Sequence, residues 1–286
     1  MKKIVFIGAT GMLGKPVAQE LINAGFELTI LARNAKKAKS LFPKATVIEG
    51  SLENKEDIKK ALANQDAVYL NLSVEQDAKP DDWHTEKQGI DNVIEVAKLL
   101  NTKRIAFLSS LVMNYQGMNG FDWWVFKIKH EAVQKIKASG LAYSIFYPST
   151  FMETYQQQMA GPLLQMSGVS KFPMWFVSAK DYGKQVVKSF EILNDSESKN
   201  YIIQGLEPFD YQQANQIFIQ NYSKKLWLLT VPSFMLSLAA KFSQKMNYLG
   251  NIMESLNSYP ETFQAESTWQ ELGKPEITLA EFAKNY

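Results

Sequence analysis

Residues 3–17 read KIVFIGATGMLGKPV. The apolar, β-branched start of this stretch predicts a buried strand that ends directly in a glycine-rich turn. Gly8 suits a tight turn, Gly11 lets the backbone approach a pyrophosphate, and Gly14 lets the next helix pack on the strand. The N-terminus of that helix offers free N–H groups to phosphate. A purely structural glycine turn is the alternative, but the strand–turn–helix context predicts a nucleotide-binding loop.

The composition narrows the classes of function. The chain has 286 residues, a formal net charge of +2, no cysteine and two histidines, His84 and His130. A charge this small argues against general binding to nucleic acid or to an anionic membrane. Without cysteine, and with so few histidines, we expect no metal site. The chain begins in a strand without a signal-peptide pattern, which predicts the cytoplasm.

One apolar stretch, residues 226–240, needs a separate interpretation. It is shorter than the roughly 20 residues that span a bilayer. Pro232 interrupts it, and lysines flank it at both ends. We expect a core or pocket helix here, and contact with a membrane surface is the alternative.

Strands and helices alternate through the first half of the chain. This alternation, with short connections, predicts an α/β fold with a doubly wound parallel sheet (Rossmann). We expect residues 1–150 to form the dinucleotide-binding domain. Residues 151–286 should form a smaller C-terminal α/β lobe that partly returns to the sheet through a strand at 201–204. The predicted strands of the first half lie at residues 3–7, 28–32, 46–48, 66–70, 104–108 and 143–147.

The end of the second predicted strand indicates which dinucleotide is bound. An acidic residue at this position would bind the ribose hydroxyls of NAD, whereas arginine can pair with a 2′-phosphate. Arg33 stands there, about 20 residues after the glycines as the motif requires, and no acidic residue accompanies it. The sequence therefore favours NADP. The alternative is that Arg33, Lys36 and Lys37 only form the solvated start of a helix.

Several segments together resemble a known family. Combined with the glycine loop, they are similar to an atypical, NmrA-like extended member of the short-chain dehydrogenase/reductase superfamily. The segments are LSS at 108–110, KIKHE at 127–131, GLAYSIFYPSTFME at 140–153, YIIQG at 201–205 and WQELG at 269–273.

The resemblance implies which residues hold the cofactor. Ligands of such sheets bind outside the carboxyl ends of the strands. Two departures weaken the match: Ser51 stands where relatives commonly carry an aspartate, and Tyr147 replaces a common arginine. The expected cofactor-binding residues are Gly8, Thr10, Gly11, Met12, Leu13, Gly14, Arg33, Ser51, Leu52, Ser73, Lys127, Tyr147 and Pro148.

The resemblance also implies catalytic roles. Lys127 would bind the nicotinamide ribose, and Ser109 or Ser110 would polarise the substrate carbonyl. The family's tyrosine position holds Trp123, whose indole cannot serve as an acid or base near neutral pH. Tyr115 could replace the missing acid, or solvent could supply the proton. The alternative for Lys127 is a solvated helix lysine that pairs with Glu131.

The segment 151–177 is rich in methionine and aromatic residues. Such side chains make an adaptable apolar wall, which predicts a small apolar carbonyl, enone or quinone as the substrate. The alternative is a hydrophobic lobe that packs on itself or on another subunit.

The leading functional hypothesis is therefore an NADPH-dependent reductase of a small apolar molecule. The alternative is an NmrA-like redox-sensing regulator that binds NADP without turnover and acts through a protein partner. A sugar-nucleotide epimerase is a third reading, disfavoured because the tyrosine is missing. A homodimer is a further expectation.

Overall fold

A computed structural model describes the backbone of residues 1–286 and the side chains of all but residues 233 and 237. The strands are β1 (Lys3–Ile7), β2 (Glu27–Ala32), β3 (Thr46–Glu49), β4 (Ala67–Leu70), β5 (Arg104–Leu108), β6 (Ala142–Pro148), β7 (Met159–Ala160), β8 (Leu163–Ser167), β9 (Met174–Trp175), β10 (Lys199–Ile203), β11 (Pro208–Phe209) and β12 (Trp227–Val231). The helices are α1 (Gly14–Asn23), α2 (Ala35–Leu41), α3 (Lys55–Leu62), α4 (Ile90–Leu99), α5 (Trp124–Ala138), α6 (Tyr155–Gln158), α7 (Ala179–Ile192), α8 (Tyr211–Asn221), α9 (Ser233–Ala240), α10 (Gln244–Ser258), α11 (Glu266–Leu272) and α12 (Leu279–Lys284).

The main sheet has seven parallel strands in the order β10-β6-β5-β4-β1-β2-β3. Strand β1 lies in the interior of the sheet, and its side chains alternate between two cores. Val5 and Ile7 enter the core on one face, and Ile4 and Phe6 enter the core on the other. The strand order reverses between β1 and β4, which is where such sheets bind dinucleotides. The predicted doubly wound fold is confirmed.

The second half of the chain completes this sheet. Strand β10 adds to β6 in parallel register, with Tyr201 opposite Phe146, as the sequence predicts. Helix α7 packs against α1, and the contact is close because a Cβ on Gly183 would meet the Val17 Cα at 3.2 Å. Helix α11 packs on α7. The division at residue 150 stays a prediction, since elements from both sides of it form one sheet.

Arg104 fastens β10 and the loop before it to the body of the sheet. This arginine is fully buried. Its guanidinium donates to the carbonyl of Tyr143 at 2.9 Å, to that of Asn194 at 2.7 Å and to that of Glu197 at 2.6 Å. Buried hydrogen bonds from a charged group are the strong ones.

The remaining C-terminal elements form a lobe with its own core. Tyr155 and Phe218 stack there with ring centroids 4.0 Å apart. The segment 151–177 supplies much of this core, so for most of its apolar residues the structure matches the alternative of a lobe that packs on itself. The residues of this segment in the lobe core are Met152, Tyr155, Leu164, Met166, Met174 and Phe176.

The core or pocket helix predicted at residues 226–240 is found only in part: Leu236 and Ala240 of α9 line a cavity beside α10, but the first half of the stretch is not helical and most of the stretch lies outside the core. Residues 226–240 form strand β12, a turn at Pro232 and helix α9, and most of their apolar side chains are exposed. A short apolar run has no periodicity that distinguishes a strand from a helix. Proline fixes φ and lacks an N–H, so it precedes the helix instead of lying inside it. Among the described residues, each helix is too short or too polar to cross a bilayer.

Candidate functional site

The turn after β1 requires glycine at two positions. Gly8 has φ +91°, and a Cβ there would lie 2.0 Å from the carbonyl oxygen of Asn71, at the end of β4. A Cβ on Gly14 would lie 2.1 Å from the carbonyl oxygen of Gly8. The turn and the start of α1 therefore pack directly on the sheet edge, as the glycine spacing predicts.

Gly11 has a different role. It is exposed, and a Cβ there would meet only the Gly8 carbonyl oxygen, at 3.4 Å, so this side of the loop is open. The amide of Gly11 donates to that same oxygen at 3.2 Å, whereas the amides of Met12 and Leu13 have no acceptor among the described residues. These free amides at the start of α1, beside a half-buried Thr10, form a cradle that fits the diphosphate of a dinucleotide.

A cavity of about 340 Å³ lies beside the ends of β2 and β4. Its lining includes Arg33, just after β2, Ser73, after β4, and Glu75. The Arg33 guanidinium forms an ion pair with the Glu75 carboxylate at 3.2 Å, and both side chains are exposed. The carbonyl of Ser73 accepts from the Thr85 hydroxyl at 3.2 Å. The structure thus brings Arg33 and Ser73 together, and Arg33 is available to an incoming phosphate that displaces Glu75.

Ser51 and Leu52 follow β3 but are held by local contacts. The Ser51 hydroxyl accepts from the amide of Glu53 at 3.3 Å. Leu52 is buried in the core, and its carbonyl accepts from the Asn92 side chain at 2.8 Å. Their predicted contact with adenine stays a prediction.

The loop after β5 carries two of the predicted catalytic residues. Ser109 is buried, and its hydroxyl donates to the sulfur of Met113 at 3.4 Å. Tyr115 ends a 3₁₀ turn and is buried with its ring centroid 4.9 Å from that of Phe121. Both lie at the carboxyl edge of the sheet, where a nicotinamide ring is expected.

Lys127 lies on an exposed part of α5. Its ammonium donates to the Asp122 carboxylate at 2.7 Å, and Gln116 donates to the same carboxylate. The hydrogen bond from Lys127 lowers the pKa of Asp122 below its ordinary value, with a smaller contribution from Gln116. The predicted partner Glu131 is not the one that Lys127 binds. To reach a ribose, Lys127 must first leave Asp122.

Trp123 is buried where the family has its tyrosine. Its indole lies 4.9 Å from the Phe126 ring and 5.0 Å from the Tyr248 ring, measured between centroids. Tyr248 belongs to α10, so the C-terminal lobe closes over this position. Burial, together with the nearby charge of Glu86, raises the pKa of Tyr248 to about 12. A phenol with so high a pKa is a weak acid at neutral pH.

Tyr147 and Pro148 end β6. The Tyr147 hydroxyl donates to the Asn200 side chain at 3.4 Å, on the neighbouring strand. Burial raises the pKa of Tyr147 to about 12. The carbonyl of Pro148 accepts from the amide of Leu111 at 2.8 Å and so positions the loop after β5. A direct role for either residue in holding the cofactor stays a prediction.

Two charged features near this edge were not predicted from the sequence. One is Glu75, which lies in a polar loop (residues 74–82) without a recognisable functional motif. The other is an ion pair between Glu86, which is fully buried on a π-helical turn at 85–89, and Lys129 of α5. The second carboxylate oxygen of Glu86 is buried without a partner among the described residues. A charge pair on the buried side of α5 has no distinct signal in sequence.

No group of three or more metal-ligating side chains occurs in the part of the chain that the structure describes.

Comparison with known proteins gives the family. Residues 8–191, well over half of the chain, match the model of the NAD(P)H-binding family. The chain belongs to the NAD(P)H-binding family. This confirms the predicted nicotinamide dinucleotide cofactor and the resemblance at the level of NAD(P) binding. The NmrA-like subdivision stays a prediction.

Individual proteins are also similar to this chain, one in sequence and two in their solved structures. The photosystem II assembly factor Ycf39 of Guillardia theta is 24% identical over 266 residues, covering 88% of this chain and 81% of that protein. The NADPH-dependent quinone oxidoreductase of Escherichia coli, solved with NADPH, has a TM-score of 0.79 at 19% identity and covers 99% of both chains. Triphenylmethane reductase of Citrobacter sp., solved with NADP(H), has a TM-score of 0.75 at 15% identity and also covers 99% of both.

Proposed function

We propose that this protein is an NADPH-dependent reductase of a small apolar electrophile, such as a carbonyl, an enone or a quinone. One observation carries the proposal: the open cradle at Gly11 lies on the same sheet edge as a cavity that holds Arg33. Neutral ribose hydroxyls do not need a cation, whereas a 2′-phosphate does. We therefore assign NADPH as the cofactor, and we keep the cytoplasm as the predicted compartment.

Different residues along the crevice would bind different parts of the cofactor. When bound, NADPH supplies the hydride. The amides of Met12 and Leu13 hold the diphosphate, and the Arg33 guanidinium exchanges Glu75 for the 2′-phosphate. Lys127 exchanges Asp122 for the ribose hydroxyls at the other end. Each exchange replaces an exposed ion pair, which is worth at most about 1 kcal/mol, so neither opposes binding strongly.

The residues near the expected nicotinamide position favour a hydride acceptor that does not need a proton from the protein. The indole of Trp123 cannot pass a proton. The Ser109 hydroxyl can polarise a carbonyl oxygen if it leaves the Met113 sulfur, a weak acceptor. A quinone that accepts a hydride becomes a hydroquinone anion, whose proton can come from water. The rings of Tyr115, Phe121 and Trp123 pack in one apolar cluster on this side of the sheet, and we expect a flat apolar molecule to bind beside them.

Steady-state turnover tests this proposal. We expect NADPH consumption with a naphthoquinone or an enone, and little with a sugar nucleotide. S109A and K127A should lower kcat. K135A is the matched control, because Lys135 also lies on α5 in an exposed ion pair, with Asp91 at 2.8 Å. Equal activity of all three variants would contradict the assigned roles.

The alternative is a protein that binds NADP as a sensor and acts through a partner. Trp123 in the tyrosine position and the pairing of Lys127 with Asp122 favour this reading. A relative, Ycf39, is named as an assembly factor and not as an enzyme. Tight NADPH binding without turnover across a broad panel of electrophiles would support the sensor and overturn the reductase.

A further inference from the structure

The segment 211–253 has an unusual charge composition. It contains no Asp, Glu or Arg, and it contains four lysines: Lys224, Lys225, Lys241 and Lys245. The whole chain has a formal net charge of only +2. The positive charge is therefore concentrated in this segment, and the value for the whole chain hides it.

The same segment exposes large apolar side chains. Their exposed fractions are 56% for Trp227 on β12, 71% for Phe234 and 58% for Leu238 on α9, and 85% for Phe242 just after α9. We call β12, α9 and Phe242, together with the four lysines of the segment, the apolar-basic face. Large exposed apolar side chains that are concentrated in one segment are typical of a binding surface.

The architecture keeps these side chains outward. Strand β12 pairs with β8 at the edge of a three-stranded sheet, and α9 packs on α10. Among the described side chains of residues 226–240, only those of Leu226 and Leu236 are buried. The Lys225 ammonium lies 4.4 Å from the Trp227 ring centroid, so a cation and an aromatic ring are presented side by side.

We propose that the apolar-basic face binds the surface of an anionic lipid bilayer. Lysines close to exposed Trp, Phe and Leu match negative headgroups above acyl chains. Helix α9 has eight residues, about 12 Å at 1.5 Å per residue, so it can lie in the interface but cannot cross the bilayer. A second copy of this chain is a poorer occupant, because a symmetric contact brings the lysines together with no carboxylate of the segment between them.

Vesicle co-sedimentation of the full chain tests the proposal. We expect binding to vesicles of phosphatidylglycerol and phosphatidylcholine, weak binding to phosphatidylcholine alone, and a loss of binding at high salt because salt screens the lysines. Each lysine near an anionic surface contributes about fivefold to partitioning. K224E/K225E should therefore lower the partition coefficient by at least about 25-fold.

The apolar contribution has its own variant. F234S/F242S should lower partitioning at least about tenfold, since two aromatic rings no longer enter the interface. The matched controls are K59E/K60E on α3, where both lysines are exposed, and L99S on α4, where the leucine is equally exposed. Both controls should bind vesicles like the wild type, and all variants should keep the wild-type melting temperature because the changed side chains are exposed.

Two outcomes would overturn the proposal. One is that the face variants and the matched controls bind anionic vesicles equally. The other is that vesicles bind no protein, while sedimentation velocity shows a dimer that F234S/F242S dissociates. The second result would assign the face to a second copy. Neither measurement depends on NADPH or on turnover, so the proposed reductase activity is tested separately.

Discussion

The proposed function assigns the preference for NADPH to Arg33, whose guanidinium would leave Glu75 for the 2′-phosphate. We expect R33Q to weaken NADPH binding about 10- to 100-fold, the effect of losing a charge-assisted hydrogen bond, and to leave NADH binding nearly unchanged. Calorimetric titration with both dinucleotides measures this. An equal loss for both would show that Arg33 does not contact the 2′-phosphate.

Glu75 offers a second test, because it competes for the same guanidinium. E75Q should strengthen NADPH binding by up to about fivefold, since the exposed pair is worth at most about 1 kcal/mol. NADH affinity should not change. Weaker NADPH binding in E75Q would mean that the carboxylate helps the site and does not block it.

Gly11 separates cofactor binding from folding. Because a Cβ there meets only one atom, at 3.4 Å, G11A should keep the wild-type melting temperature. It should lose at least about tenfold in NADPH affinity, since the methyl group fills the space that the diphosphate needs. Thermal melts with and without NADPH give both values. Unchanged stabilisation by NADPH would place the diphosphate elsewhere.

Alanine substitutions at Gly8 and Gly25 separate the cost of backbone strain from the cost of a steric clash between the new Cβ and neighbouring atoms. Both have positive φ, +91° and +84°. A Cβ on Gly25 meets no described atom within 4 Å, whereas one on Gly8 collides with the Asn71 carbonyl. G25A should cost about 1–2 kcal/mol of unfolding free energy, and G8A clearly more. Urea denaturation compares them, and equal losses would contradict the close packing of the turn.

The residue scale also shows what sequence could predict. The glycine loop was predictable, because its requirements lie within seven consecutive residues. The pair between Arg33 and Glu75 was not, because the two residues are 42 positions apart and meet through an exposed loop. The partner of Lys127 was also missed, since helix spacing favours Glu131 whereas the fold brings Asp122 closer.

At the scale of elements, the packing of α5 depends on the buried ion pair between Lys129 and Glu86. Glu86 is inaccessible and the side chain of Lys129 nearly so. K129M should cost about 3–5 kcal/mol, because it leaves a buried carboxylate uncompensated. The double variant E86Q/K129M should recover much of that loss. Chemical denaturation measures both, and a K129M loss below about 1 kcal/mol would mean that water reaches the pair.

Elements were predicted well where periodicity was strong and poorly where it was absent. The strands of the main sheet follow from apolar runs between turn residues, and the helices between them follow from their apolar spacing. The burial of residues 226–240 was not predicted correctly, because apolar composition does not show whether a side chain is covered by other residues. The hydrophobic residues of 151–177 were ambiguous for the same reason, and the structure buries most of them in the lobe.

At the scale of the whole molecule, two buried carboxyls link stability to pH. Burial raises the pKa of Glu153 and of Glu261 to about 7, against an ordinary value of 4.5. The folded state holds these protons more tightly than the unfolded state. Their contribution to stability is therefore complete below about pH 4.5 and is lost as the pH rises to about 7.

The variant E153Q/E261Q removes this dependence, because glutamine keeps the neutral form. Between pH 4.5 and 7, the stability of the variant relative to the wild type should rise with pH, by up to about 1.4 kcal/mol per unit for each carboxyl. E281Q is the control: hydrogen bonds from Thr278 lower the pKa of Glu281, so its effect on stability lies below about pH 4.5 and its difference from the wild type should stay nearly flat between pH 4.5 and 7. Urea denaturation across this pH range measures the difference, and a flat difference for E153Q/E261Q would contradict the raised pKa values.

The position of β10 has a consequence for how the protein is made. Its hydrogen bonds to β6, and two of the carbonyls that Arg104 binds, those of Asn194 and Glu197, come from residues that a ribosome adds only after the first six strands are complete. Until then the nascent chain carries an arginine that lacks two of its acceptors and an unpaired edge on β6, a state that chaperones bind. A product truncated at residue 150 should accordingly accumulate in inclusion bodies, and co-expression with residues 151–286 should restore it to the soluble fraction.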